Sequence, residues 1–425
     1  MLQNREKANW LNSLLDLNSS RESPQGSDLS RLRKRITKVT QEIMDLAKER
    51  EHLSEQISKI KLSRGLLLED LARESQLLGT MKWYAKRIGL EEKTAVRLTN
   101  ELIQASKRVQ RKKSNFKEAK DFLHSEEVKS VAIIGAGRMG RWFGDYFSKL
   151  VSQVTIFDRN WDTASILARE LGCKASNDVF KALSSDLILL SLPIRETARI
   201  VEKFEKAFNE KRGKINLTLN EIPRLIEISS VKGPLLGSRD GRRNDGSRNL
   251  DVISIHPLFG PSFDFSNEGT IIYVTSSGDE VGAGGRNRRN LRFIKRLFPS
   301  FHIISMNLKD HEELMGLLLG LPHALAIAFG ITAIDWLEAR EAHSLITSPS
   351  MGHLLRLLQN VLSQNPDIYF EIQSLNSENT LEITHELIKS IEKLREIIKQ
   401  GNSREFKLLL ERIRGSVLAR KILES

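Results

Sequence analysis

From residue 29 to residue 60 apolar side chains recur at steps of three and four, broken only at Arg50: Leu29, Leu32, Ile36, Val39, Ile43, Leu46, Leu53, Ile57 and Ile60. This is a heptad-like seam, and it predicts a helix that buries one stripe against other helices. At ~1.5 Å per residue the helix runs to roughly 50 Å. A helix that long in so small a unit needs partners, a second chain among them. Ser27 or Asp28 is placed to cap its start. Past residue 129 the period changes. The runs VAIIGAG, VTIFD, DLILLSLP, RLIEISS, DVISIHP and TIIYVTS alternate with amphipathic stretches, which predicts a parallel sheet with crossover helices. From residue 308 onward the pattern is helical again.

These shifts divide the chain into a flexible N-terminal arm over 1–28, an all-α domain of three helices over 29–113 and a linker over 114–128. An α/β domain over 129–307 and an all-α C-terminal domain over 308–425 follow. The stretches GPLLGSRDGRRNDGSRN and SSGDEVGAGGRNRRN, rich in glycine and arginine, read as loops. Residues 314–337 are apolar enough to span a bilayer. Pro322 and His323 interrupt the stretch and acidic residues flank it, so a helix buried in protein, at a subunit interface, is the expectation.

At 425 residues the chain holds two or three domains, and 40% hydrophobic with 28% charged residues is ordinary for a soluble globular protein. One cysteine, Cys173, excludes an intrachain disulfide and fits a reducing compartment. The opening MLQNREKANW has no charged-then-apolar signal pattern. A cytoplasmic location is expected. The net charge of +12 admits nucleic acid, anionic lipid or anionic small molecules as partners. The basic residues are spread along helices and two loops, with no nucleic-acid motif, so anionic substrates suffice. Neither nucleic acid nor a membrane is expected as a partner. A nucleic-acid binder would show salt-sensitive retention.

Gly135, Gly137 and Gly140 form a GxGxxG turn between the run VAII and an amphipathic stretch opened by Arg138 and Met139. Such glycines allow a tight turn, close approach of a pyrophosphate and close helix–strand packing, with the helix N-terminus facing the phosphates. Asp158 ends the next run, where its carboxylate accepts from a ribose 2′-hydroxyl and repels a 2′-phosphate. This is a Rossmann signature that favours NAD over NADP; Arg159 leaves NADP as the lesser possibility. No metal is expected. EISSVKG at 227–233 and IHPLFGPS at 255–262 each follow a strand, which places them at the carboxyl edge of the sheet, where such folds bind ligands.

In the N-terminal helices, Arg50 occupies a seam position that calls for an apolar residue, and a buried charge needs a partner. Lys61 lies about three turns on, on nearly the same face, while Arg33 points elsewhere. Asp70, Arg73 and Glu74 share one face, and Ser106 and Gln110 lie one turn apart beside an apolar stripe. On spacing alone this set reads equally as a polyanion cavity or as surface salt bridges on an interaction module.

Residues 29–113 resemble the all-helical class of chorismate mutase, without a gap. The resemblance implies that Arg33, Arg50, Lys61 and Arg73 hold the two carboxylates and ether oxygen of chorismate, with Asp70 a further site residue. It also implies Glu74 at the ring hydroxyl and Ser106 with Gln110 on the third helix, Gln110 at the ether oxygen. In that family the first arginine enters from the other protomer of an intertwined dimer. The rearrangement is pericyclic, so the site needs to fix the reactive conformer and stabilise developing charge.

From about residue 130 onward the chain is similar to the prephenate dehydrogenase family, on SLP at 191–193, SSVK, IHPLFGPS, LPH at 321–323 and NPDIYFEIQSLN at 365–376. The resemblance implies His256 as catalytic base, Ser230 as its assistant, His323 lining the substrate site and a dimerising C-terminal domain. Where the family carries an arginine for the substrate's ring carboxylate this chain has Asn360, and Arg356 one turn earlier is the candidate replacement. Together the two resemblances imply conversion of chorismate to prephenate, then NAD-dependent oxidative decarboxylation to 4-hydroxyphenylpyruvate, in a homodimer. Two alternatives stay open: arogenate as the oxidised substrate, and a helical domain that only dimerises and regulates.

Overall fold

The computed structural model describes residues 26–64, 70–212, 223–237, 250–265, 267–275, 285–338, 348–363 and 365–419. It contains two compact units, Met1–Ser114 and Asn115–Ser425. Most of the expected N-terminal arm lies outside the described residues.

The first unit is built from α1 (Gly26–Ser63), α2 (Leu71–Ile88) and the first part of α3 (Glu92–Ser125). Helix α1 already runs at Gly26, so Asp28 is not its cap but lies in its first turn, 3.5 Å from Arg31. Helix α2 is capped by the Asp70 carboxylate, which accepts from the Arg73 N–H at 2.9 Å. It ends at Gly89, whose φ of +72° is the left-handed turn that glycine adopts without strain. Little apolar surface is buried here: Ala85, Ala95 and Ile103, beside Ser54, Ser58 and Thr99. The seam of α1 is 39 to 66% exposed from Leu29 to Ile60. Each half-exposed Leu or Ile forfeits roughly 1 kcal/mol of transfer free energy, so the unit as a single chain leaves its main stripe uncovered.

Residues 114–128 were expected to link the domains, yet α3 continues through them to Ser125. Ala119, Phe122 and Leu123 recur at helical spacing and are buried in the core of the second unit. That short period is the reason the segment is helix rather than tether.

The second unit is an eight-stranded sheet of order β3-β2-β1-β4-β5-β6-β7-β8. Its strands are β1 (Ser130–Ile134), β2 (Gln153–Phe157), β3 (Lys174–Ser176), β4 (Leu187–Leu190), β5 (Arg224–Glu227), β6 (Val252–Pro257), β7 (Gly269–Thr275) and β8 (Phe301–Asn307). β1 to β6 are parallel, with α4 (Arg138–Ser148), α5 (Trp161–Leu171) and α6 (Ile194–Arg212) among the connections. This is the doubly wound order, whose strands reverse direction of progress between β1 and β4. β7 departs from the expected all-parallel sheet: it is antiparallel to β6. Only residues 258–268 join the two, with no helix among those described, and a parallel return needs a crossover of a dozen residues or more.

Strands β1, β4, β5, β6 and β7 are buried on both faces. Phe143, Phe147 and Phe298 fill one side, Phe204 and Phe208 the other. Helix α7 (Gly285–Leu297) starts inside what the sequence suggested was an arginine-rich loop. Four apolar positions follow its first turn, Leu291, Phe293, Ile294 and Leu297, and Asn290, Phe293, Ile294 and Leu297 are buried.

The C-terminal part comprises α8 (Leu308–Met315), a π-helical turn over Gly316–Gly320, α9 (Leu321–Glu338), α10 (Pro349–Leu362), α11 (Pro366–Leu375), α12 (Ser377–Lys399) and α13 (Ser403–Ala419). The apolar stretch through α9 was expected to be buried. Within one chain only 17% of its most apolar window is covered; Leu317, Leu318, Ile331 and Ile334 are exposed.

Candidate functional sites

The glycine turn sits where β1 meets α4. The Gly135 N–H donates to Phe157 O at 2.7 Å, which ties the turn to β2. Gly135 has φ of +105°, and a Cβ on it would stand 2.1 Å from Ser191 O. A Cβ on Gly140 would stand 1.8 Å from Gly135 O. These two positions admit only glycine. Gly137 differs: nothing lies within 4 Å of the place its Cβ would take, and as N-cap of α4 it offers no side-chain bond to the helix end. The space beside Gly137 is thus open at a positive helix terminus, which fits a pyrophosphate. Arg138 is exposed at the start of α4 and Met139 is half-buried against the core. The Asp158 carboxylate accepts from the Ala136 N–H at 2.8 Å and the Asn160 N–H at 2.9 Å. It therefore lies against the glycine turn, at the end of β2, as a ribose-binding acid would.

His256 is the penultimate residue of β6 and is only 4% exposed. Burial first, then the charges of Lys232 and His311, hold its pKa well below 6.5, so it is neutral at physiological pH. Its Nδ1 stands 3.1 Å from Nε2 of His311 on α8, and Nδ1 of His311 stands 3.0 Å from Glu312 Oε1. Beneath lies an ion pair with no exposed surface: Lys232 Nζ donates to Glu227 Oε1 and to Ile255 O, both at 2.7 Å. The Ser254 hydroxyl donates to the same Glu227 oxygen, and Ser229 donates from its N–H and hydroxyl to the other. Burial lowers the Lys232 pKa while Glu227 opposes the shift. A buried carboxylate with this many donors is paired and satisfied.

Ser230 follows β5 and is half-buried, without a hydrogen bond to His256. His323, near the start of α9, has a buried Nδ1 with no hydrogen-bond partner, and burial lowers its pKa to about 4. Its ring meets Tyr369 of α11 edge-on at 4.4 Å. The charge of Arg138 acts on that Tyr369 hydroxyl, against the rise that burial causes. Glu371, also on α11, accepts from the Ile194 N–H at 3.1 Å, at the first turn of α6. The motif of α11 thereby reaches the sheet edge. Arg356, by contrast, is exposed on α10 and pairs with His353 at 2.9 Å; Gln359 and Asn360 are exposed beside it.

In the first unit the Arg50 guanidinium donates to Leu102 O and to the Ser106 hydroxyl. Burial lowers its pKa. Ser54 donates to Arg50 O at 2.9 Å and to Ser106 Oγ at 2.8 Å, fixing α1 against α3 at this level. Glu74 of α2 pairs with Lys107 of α3 at 2.9 Å, and Glu55 pairs with Lys113 at 2.7 Å. Lys61 and Gln110 are half-buried; Asp70 and Arg73 are exposed, with Arg73 bonded to Gln76 at 2.7 Å. Arg33 is exposed and seventeen residues before Arg50, about 25 Å along the same helix. No side-chain motion within one chain joins the two.

Sequence reasoning left out Glu227, Lys232, His311 and Glu312, and on the helical side Ser54 and Lys107. The signal for the first pair was a glutamate in the otherwise apolar run RLIEISS, since a charge in a buried strand demands a counter-charge nearby. Nothing in the sequence alone singles out His311.

Three stretches of the chain match models of known protein families. The model for chorismate mutase type II matches residues 32–111, and that for the prephenate dehydrogenase dimerization domain matches residues 307–412. Between them, residues 130–215 match a model of coenzyme F420-dependent NADP oxidoreductases. A T-protein from Enterobacter agglomerans is 21% identical over 384 residues, 89% of this chain and 90% of its own. A probable arogenate/prephenate dehydrogenase from Methanocaldococcus jannaschii is 25% identical over 283 residues, 65% of this chain. The chain spans 58% of that archaeal relative's length. Prephenate dehydrogenase from A. aeolicus, in complex with hydroxyphenyl propionate and NAD+, shares the fold with a TM-score of 0.53 at 20% identity, covering 68% of this chain and 98% of its own. The chain thus joins a stretch that matches chorismate mutase type II to a C-terminal stretch that matches the prephenate dehydrogenase dimerization domain, and it is similar along most of its length to a T-protein.

Proposed function

We propose that the protein catalyses two consecutive steps toward tyrosine: chorismate to prephenate in the helical unit, then oxidative decarboxylation of prephenate to 4-hydroxyphenylpyruvate in the second unit. One observation carries this reading. A single chain holds both domains, and the product of the first is the substrate of the second.

In the helical unit Arg50, Lys61 and Arg73 supply cations for the dianion, with Arg33 entering from a second chain. Arginines clamp carboxylates with two parallel bonds. Lys61 and Gln110 donate to the ether oxygen as charge develops there, which is the part of the site that lowers the barrier. Asp70, Glu74 and Ser106 order the helix ends and the hydroxyl side.

In the second unit neutral His256 accepts the proton of the ring hydroxyl at Nε2, assisted by Ser230, while His323 lines the pocket. Gly135, Gly137, Arg138, Met139, Gly140 and Asp158 would hold NAD, which when bound would supply the acceptor for the hydride on the hydroxyl-bearing carbon. As the ring aromatises and carbon dioxide leaves, the proton on His256 returns to the phenolic oxygen, so protons balance. The assembly is a homodimer in which the seam of α1 and the apolar face through α9 find their cover. Asn360 motivates a second reading, in which arogenate is the oxidised substrate.

Two assays on the full-length protein test the halves apart. Chorismate loss without NAD reads the first, and reduction of NAD by prephenate or arogenate, side by side, reads the second. Absence of chorismate loss would defeat the mutase assignment, and greater turnover of arogenate would transfer the dehydrogenase to the second reading.

A further inference from the structure

His256 can serve as a base only in one of its two neutral tautomers, the one with Nδ1 protonated and the Nε2 lone pair free. An imidazole in water populates both. Here the surroundings decide. Glu312 Oε1 already accepts the Lys232 N–H at 2.7 Å and faces Nδ1 of His311 at 3.0 Å. An ionised carboxylate only accepts, so His311 Nδ1 carries a proton. Neutral His311 is then left with an acceptor at Nε2. That acceptor faces His256 Nδ1 at 3.1 Å, so His256 Nδ1 must be the donor, and its Nε2 is the free base.

The geometry points to His311 and Glu312 as positioning residues: a carboxylate–imidazole–imidazole chain that fixes the tautomer and ring orientation of His256. This rests on the proposed role of His256 in the dehydrogenase. The chain is held from both sides. The Asn376 side chain, at the end of α11, donates to Glu312 O at 2.7 Å, and Asn379 donates to Asn376 Oδ1 at 2.7 Å. Both histidine rings are buried and meet at 5.3 Å, nearly edge-on. The charged groups facing the pair are Lys232 and Glu227 from the sheet edge and Glu312 from α8. When Nε2 takes the substrate proton, the Nδ1 proton stays in place, donated to His311, and the carboxylate two bonds away stabilises the resulting imidazolium. This is the task an acid performs behind a catalytic histidine, carried out through one more ring.

The test uses the full-length protein and two readouts. Nitrogen-15 NMR of histidine-labelled protein, with the His256 signals assigned by their loss in His256→Gln, reports the tautomer without turnover. The expected spectrum has Nδ1 protonated and Nε2 bare. His311→Leu removes the acceptor, and His311→Gln keeps an acceptor oxygen near the same place. His311→Leu is expected to lower kcat for prephenate about 10²-fold or more, with KM within a few-fold and mixed tautomers in the spectrum. His311→Gln should recover most of the loss. A wild-type spectrum with Nε2 protonated would overturn the relay, and so would unchanged kcat in folded His311→Leu. If the wild type oxidises neither prephenate nor arogenate, the reading of the site fails, and the spectrum alone then judges the relay.

Discussion

A methyl group on Gly135 would stand 2.1 Å from the carbonyl oxygen of Ser191, far inside van der Waals contact and against backbone that cannot swing aside. Gly135→Ala is therefore expected to unfold the glycine turn or the domain, losing dehydrogenase activity and several degrees of Tm. Gly137→Ala meets open space, so the protein should keep its Tm while the KM for NAD rises about tenfold or more, a loss of one to two hydrogen bonds to phosphate. Differential scanning calorimetry beside NAD titration separates the two outcomes.

Arg50 bonds Ser106 across α1 and α3, and Lys61 lies about three turns further along α1. Lys61→Ala should cut chorismate turnover by about 10²-fold or more, the usual effect of removing a donor aimed at developing charge. Oxidation of added prephenate should stay within a few-fold of wild type. Equal loss of both activities would mean that Lys61 supports folding rather than catalysis.

The exposed seam of α1 predicts a shared mutase site. Ile43→Glu places a charge on a stripe that is half-exposed in one chain, and a dimer would bury it unpaired. Sedimentation velocity should show weakened association through the helical unit, and chorismate turnover should become concentration-dependent. Turnover independent of concentration in this variant would contradict a site shared between two chains.

Histidines set the acid limit. His256, His311 and His323 all have folded pKa values below 6.5, His323 about 4. In that window the unfolded chain binds more protons than the folded one, so stability rises with pH there and is fully present above 6.5. As pH falls from 6.5 toward 4 the protein should lose Tm, and His323→Phe should flatten part of that slope. The dehydrogenase should likewise remain active somewhat below pH 6.5, since its base stays unprotonated. An acid limb of kcat/KM above 6.5 would contradict a buried neutral His256.

Much of this was legible because it rests on local rules. The glycine turn, the acid closing β2 and the heptad seam each follow from one backbone or packing requirement within about thirty residues. Less legible were features set by the tertiary fold. β3 is three residues long and β8 is amphipathic, so neither forms an apolar run, and the reversal of β7 depends on which edge the chain returns to. The segment after residue 114 carries its apolar positions among lysines, which hid its place in the core. His311 meets His256 across fifty-five residues, a relation no spacing rule encodes. Arg356, chosen because it lies one turn from Asn360, turns to His353 instead.

Whether one chain performs two consecutive reactions is read by adding chorismate and NAD, with no other enzyme, to the purified full-length protein and following the absorbance of reduced nicotinamide. The expected trace is a steady rise after a brief lag, no rise when either addition is omitted, and a rise slowed about 10²-fold or more when Lys61 is alanine. A flat trace from chorismate with a rising trace from prephenate would contradict the mutase half. Flat traces from both would contradict the dehydrogenase half.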